Sequence, residues 1–255
     1  MPPRLHSDDG PESSRMSFGD HLEELRRRLF RSVVFTSLVV ALCLALQDSI
    51  FEFITAPYRS AVDAARAAGK SLNYQFLSVA PAESFMGYMS VAIYAGLFFA
   101  SPFILWQLWM FVSAGLYKSE RRSFLIFAPV SLGLFVAGMA FGYVVLIPWA
   151  LSFLLSYADT RFVSSGSALS PYLQFFLQMT VVLGAVFELP LVMMFLSRIG
   201  LIEPKTYASN RRLAIVIVVV VAAIITPPDA VSQILVAVPL YVLFEAGILL
   251  ARMKA

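Results

Sequence analysis

YLQFFLQMTVVLGAVFELPLVMMFLSR, residues 172–198, decides how this chain must be read. The stretch is apolar from end to end apart from a few polar residues, and it exceeds the about 20 residues that a helix needs to cross a bilayer. Deep inside it stands one carboxyl, Glu188, followed by Leu189 and Pro190. A charge at the centre of a membrane helix costs about 2.5–3.5 kcal/mol on insertion scales, so the position calls for a partner or a use. If the helix enters at Tyr172, Glu188 lies about 24 Å along it at 1.5 Å per residue, past the midplane. Lipid favours the neutral acid, which both donates and accepts a hydrogen bond. Pro190 removes a backbone donor and loosens contact with the carbonyl of Val186. The pair predicts a polar patch in an apolar wall, suited to a polar residue on a neighbouring single span.

Composition agrees. Hydrophobic residues make up 59% of the 255 and charged residues 14%, and the mean hydropathy is +0.79. A soluble domain is nearer half apolar and a quarter charged. Long apolar runs without strand-like alternation indicate an all-α, polytopic membrane protein and exclude an outer-membrane barrel. The single cysteine, Cys43, allows no internal disulfide. The net charge of +3 reflects topology rather than a nucleic-acid surface.

Six apolar runs are predicted, at about 29–47, 84–112, 123–148, 172–197, 213–226 and 231–250, within a membrane domain covering 17–255. Residues 1–16, rich in proline and polar groups and lacking an apolar signal core, are expected to be a disordered tail. Ser17 to Arg31 predicts an amphipathic interfacial helix, with Asp20 as N-cap and Glu23 as its capping-box partner. Gln47 to Pro81 and Ala150 to Pro171 read as long polar loops, the first with partial helix. Trp106 and Trp109 suit an interfacial belt, and Trp149 the opposite interface. Gly138 and Gly142 form a GxxxG pair that permits close helix approach. The fifth run reaches only about 21 Å, against a hydrocarbon core of about 30 Å, and predicts local bilayer thinning.

An even number of spans puts both termini on one side. Of the 19 Lys and Arg residues, only Arg59, Arg66, Lys70 and Arg161 fall in the loops after spans one and three. The positive-inside rule then makes both termini and the short basic loops cytoplasmic.

No catalytic constellation is found. Gly69-Lys70-Ser71 resembles the end of a Walker A loop, but Ala64 stands where the first glycine belongs, on the outer side. The two histidines, His6 and His21, both lie near the N-terminus, which removes HExxH zinc sites and a Ser–His dyad in the membrane. No metal or cofactor is expected. What remains is a cytoplasmic set: Glu23, Glu24, Arg26 and Arg28 on one segment, and Glu120, Arg121 and Arg122 on another. Two carboxylates in a basic rim bind guanidinium groups through forked hydrogen bonds that lysine cannot copy.

At this point a resemblance becomes specific. HLEELRRRL (21–29), LYKSERR (116–122), FELP (187–190) and TPPDAVSQ (226–233) resemble, in order and spacing, the signature segments of the TatC family, from about Phe18 to Met253. The resemblance implies a glove-shaped, six-helix receptor for twin-arginine signal peptides in the plasma (inner) membrane, not an enzyme. It implies work with TatA- and TatB-type single-span proteins, as a homo-oligomer within the complex, to export folded proteins using the proton-motive force. Residue by residue, Glu24 and Glu120 match the acidic positions that meet the paired arginines, and Arg26 and Arg28 the basic positions beside them. Phe111, Leu116, Tyr117 and Lys118 match the surface around that site. Pro57 matches a structural proline of the first outer loop. Glu188 matches the intramembrane carboxyl facing partner helices, and Asp229 and Gln233 a polar pair at the outer end of span six. Residues 1–15 extend beyond the family pattern and touch no motif. The alternative from another class is a small proton-coupled secondary transporter with Glu188 as carrier. Neither an internal repeat nor a second midplane charge supports it. A scaffold without cargo would leave Glu24 and Glu120 unexplained.

Overall fold

The computed structural model describes residues 18–70, 72, 74, 76, 81–114, 118–156, 168–226 and 229–253, with backbone alone at 18, 81–84 and 118–127. The expected tail, 1–16, lies outside the described residues. Among those described there is no β-strand, and five segments are long and apolar enough to cross a membrane.

The first is one continuous helix, α1 (Phe18–Ala45), rather than an interfacial helix followed by a span. Asp20 lies inside its first turn and not at its N-cap. Glu23 pairs with Arg26 at 3.7 Å on the exposed face instead of closing a capping box. Leu22, Leu25 and Leu29 are exposed and share an apolar face with Phe30 and Val33. With no break in periodicity, the helix has no reason to stop at the interface.

The predicted first loop is mostly helix, α2 (Gln47–Ala67), which buries Ile54, Thr55, Pro57, Tyr58, Ala61 and Val62 along one side. Pro57 is thus inside a helix. It removes the donor that the Phe53 carbonyl would have used, and the Tyr143 hydroxyl replaces it, donating to Phe53 O at 2.8 Å. Tyr172 donates to the next carbonyl, Ile54 O, at 2.6 Å. α2 ends at Gly69, whose φ of +88° is the left-handed stop that glycine adopts without strain. The Gly69-Lys70 pair is therefore a helix terminus. Lys70 Nζ donates to Leu155 O at 2.9 Å, and to Ser156 O, closing the end of another helix.

The second span, α3 (Pro81–Ala114), contains Pro102. Ser101 Oγ donates at 2.7 Å to Phe98 O, the carbonyl that Pro102 leaves without its helical donor. The third span runs from α4 (Lys118–Phe141) through a π-helical turn (Gly142–Leu146) into α5 (Ile147–Ser156). It continues past Pro148, beyond the apolar run at 123–148, to Ser156. The wide turn lies immediately before that proline, where the helix must accommodate a missing donor. The extra turns bury Ala150, Leu151 and Leu155.

The fourth span comprises α6 (Leu169–Leu177), a second π-helical turn (Gln178–Val182), α7 (Leu183–Phe187) and α8 (Leu189–Arg198). It packs against the third through its glycines. A Cβ on Gly138 would fall 2.9 Å from Gly184 Cα, and one on Gly142 would fall 2.4 Å from Met179 O. The GxxxG pair thus serves an approach within the chain. A short helix, α9 (Pro204–Ser209), precedes α10 (Arg211–Ile225). At 15 residues α10 is too short to count among the five crossing segments. The last, α11 (Ala230–Arg252), packs beside α8 and α10.

Candidate functional site

The first acidic position is built where α1 lies along α3. His21, Glu24 and Arg28 recur at helical spacing and so share one face of α1. Glu24 and Arg28 form an ion pair at 2.6 Å, each side chain 16% exposed. Arg28 Nε donates to Glu24 Oε1 at 2.7 Å, and Arg28 Nη1 donates to Gln107 Oε1 of α3 at 3.1 Å. One helical turn along α3, Phe111 stacks on His21 with ring centroids 4.4 Å apart. The His21 Nδ1 atom is buried and has no hydrogen-bond partner. Arg26 stands apart from this face, among Leu22, Leu25, Leu29, Phe30 and Val33.

The other acidic position, Glu120, and Lys118 lie in the first turn of α4, and their side chains are outside the described residues, as are Leu116 and Tyr117 altogether. Lys118 follows Ala114 by four residues, so the chain cannot carry the start of α4 more than about 14 Å from the end of α3. That keeps the start of α4, which carries Glu120, near the end of α3, which carries Phe111.

Within the membrane region, Glu188 sits at the joint between α7 and α8. Its amide bonds to Ala185 O rather than to the carbonyl four residues back, and Pro190 begins the next helix. Expected to face a partner helix, the carboxyl is turned inward here, with the residue 5% exposed and both oxygens without a hydrogen-bond partner. Ser131 of α4 stands beside it, and the Ser131 hydroxyl accepts a hydrogen bond from Trp109 Nε1. Trp109 is therefore an interior residue and not part of an interfacial belt, with its indole held by the polar neighbour of Glu188.

Asp229 and Gln233 are both engaged. Asp229 caps α11, accepting from Ser232 N at 2.7 Å, and Gln233 Nε2 donates to Val219 O of α10 at 3.1 Å. Sequence reasoning passed over a third constellation. Arg211, at the start of α10, forks onto Glu245 of α11 at 2.6 and 2.9 Å, and Tyr241 donates to Glu245 Oε1 at 2.9 Å. The i, i+4 spacing of Tyr241 and Glu245 was the available signal. Gln107, His21 and Ser131 were also missed, because nothing in a single sequence says which side of α1 meets which side of α3.

Residues 20–239 match the family described as Sec-independent protein translocase protein (TatC). The TatC protein of Desulforapulum autotrophicum is 35% identical over 241 residues, covering 94% of this chain and 86% of the relative. TatCy of Bacillus subtilis is 36% identical over 242 residues, covering 94% and 90%. A crystal structure described as the twin arginine translocase receptor TatC superposes with a TM-score of 0.75 at 32% identity, covering 92% of this chain and 99% of that one. With a helical, multi-pass architecture and a match across most of its length, this chain belongs to the TatC family of Sec-independent protein translocase proteins.

Proposed function

We propose that this chain is the receptor for twin-arginine signal peptides and the core subunit of a translocase that exports folded proteins using the proton-motive force. One observation carries the reading. Glu24 is a carboxylate fixed between two helices, partly shielded from water, and already bound by a guanidinium. A site that holds one guanidinium has the geometry to hold another. Glu120, Phe111, Leu116, Tyr117 and Lys118 complete the peptide surface at the junction of α3 and α4.

The rest of the assembly follows from the same reading. α10 is the short fifth of six spans, and both termini lie in the cytoplasm of a cell whose plasma membrane holds the chain, in keeping with the distribution of Lys and Arg. Single-span partners of the TatA and TatB type dock beside α10 and the Asp229–Gln233 end of α11, and further copies of the chain join the complex. Membership in a translocase family stands against the small-transporter alternative.

The test is peptide binding to the full chain in lipid nanodiscs. Hydrogen bonds to charged groups contribute about 1.5–3 kcal/mol each, less where water screens them. Glu24→Ala combined with Glu120→Ala therefore weakens a twin-arginine peptide while the helices remain intact. Wild-type affinity in the double variant would sink the site assignment.

A further inference from the structure

Arg27, Arg31, Val34, Leu38 and Leu42 follow one another at steps of three or four residues, which sets them along one side of α1. All five are exposed. α3 packs on another side, where Arg28 reaches Gln107 and Phe35 meets Phe103. The two arginines stand one turn apart, a spacing at which like charges repel. The nearest acids are already taken: Glu23 lies 3.7 Å from Arg26, and Glu24 lies 2.6 Å from Arg28. Among the described residues, neither Arg27 nor Arg31 has an acidic partner. The membrane part of α1 is almost wholly uncovered by the rest of the chain.

Depth decides which anion meets them. α1 ends at Ala45, and Gln47 and Asp48 mark the far interface. Counted back at 1.5 Å per residue, Arg31 lies about 21 Å from that end and Arg27 about 27 Å, against a hydrocarbon core of about 30 Å. Side chains leave a helix tilted toward its N-terminus, and arginine is long enough to snorkel to the near interface. The anion at that level is the lipid phosphate. A guanidinium fork matches phosphate oxygens, and one phosphate between two forks relieves their repulsion. Below the arginines, Val34, Leu38 and Leu42 form an apolar track about 12 Å long. The geometry points to a binding site for one anionic phospholipid, its phosphate clasped by Arg27 and Arg31 and an acyl chain laid along Val34, Leu38 and Leu42. A zwitterionic lipid fits less well, because its own ammonium is repelled by the clasp. The plainer role is that of topogenic charge, which attracts every anionic lipid in the leaflet and holds none. Only a site ties the headgroup preference to these two positions.

The experiment places the full chain in phosphatidylcholine vesicles with a trace of photoreactive lipid, either phosphatidylglycerol or phosphatidylcholine, and maps the crosslinks along α1. Phosphatidylglycerol is expected to label residues 34–42 at about fivefold or more the yield of phosphatidylcholine. Arg27→Gln combined with Arg31→Gln brings the two yields together. Lys205→Gln combined with Arg212→Gln removes as much charge from exposed positions elsewhere and leaves the preference intact. Inorganic phosphate does not compete, because it has no acyl chain to lay on the track. Equal labelling in wild type overturns the inference. So does a full preference in the Arg27/Arg31 double variant, or an equal loss in the Lys205/Arg212 variant, which would leave only diffuse charge. Competition by inorganic phosphate overturns the assignment to a lipid. If the double variant does not insert, the two single variants replace it, and a full preference in both overturns the site. A photoreactive residue at Leu38 is expected to capture lipid in native membranes; capture of protein in its place would give this face to a partner helix and overturn the inference as well.

Discussion

Glu188→Met is predicted to stabilise the fold. The Glu188 side chain is enclosed, and neither carboxyl oxygen has a hydrogen-bond partner. A buried polar group left unsatisfied costs about 1–3 kcal/mol. Ser131 stands beside the carboxyl and keeps its own O–H proton while accepting from Trp109, so it relieves at most part of that cost. Methionine has nearly the same length and volume, so it removes the polar atoms without opening a cavity. Pro190 remains, and the joint between α7 and α8 with it. The gain expected is about 1–3 kcal/mol, the unsatisfied cost recovered. Equilibrium unfolding in mixed micelles reads it, with Glu188→Gln as the polar isostere lying within about 1 kcal/mol of wild type. Protein export is expected to fall in the Met variant and to persist in the Gln variant, which would separate use from stability. A Met variant less stable than wild type by more than about 1 kcal/mol would refute the reasoning, since it would mean that the carboxyl holds the fold together.

A Cβ at position 142 would fall 2.4 Å from Met179 O, a backbone atom that cannot rotate away. Gly142→Ala is therefore expected to destabilise by about 1–3 kcal/mol, measured by unfolding in micelles; unaltered stability would show that the third and fourth spans can part. Lys70→Met removes the ammonium that closes the end of α5, and amide exchange over 150–156 is expected to quicken while the rest of the protein is unchanged. Equal exchange in both proteins would make Lys70 incidental. Beside α10, about 22 Å long at 1.5 Å per residue, the bilayer is expected to thin. A bilayer of uniform thickness around the protein would remove that idea.

Among the described residues, the five segments long and apolar enough to cross a membrane all lie on runs that hydropathy marks, because a helix in lipid must be apolar for its whole length. What hydropathy misjudged were features set by packing. The helix past Pro148 was legible only to a reader who expected a π-helical turn to absorb the missing donor. The helix around Pro57 depends on Tyr143, 86 positions along the chain, supplying a hydrogen bond to Phe53. Trp109 looked interfacial by position, yet its indole donates inward to Ser131. At the candidate site, the spacing of His21, Glu24 and Arg28 was visible as a helical face, but the partners Gln107 and Phe111 were not. Periodicity names a face and does not name what the face meets. Arg26 and Arg28 were equivalent as letters in a basic run. Two residues of helical rotation send one to the exposed apolar groove and the other into the α1–α3 junction.

The proposed function turns on a twin-arginine peptide bound at the Glu24 face of α1. A photoreactive residue placed at Phe111, against His21, tests it most directly in membranes that contain the whole translocase. Crosslinks to a twin-arginine signal peptide are predicted, lost when the peptide's arginines become lysines and lost again in Glu24→Ala. Crosslinks that persist in Glu24→Ala, or that form equally with the lysine peptide, would contradict it.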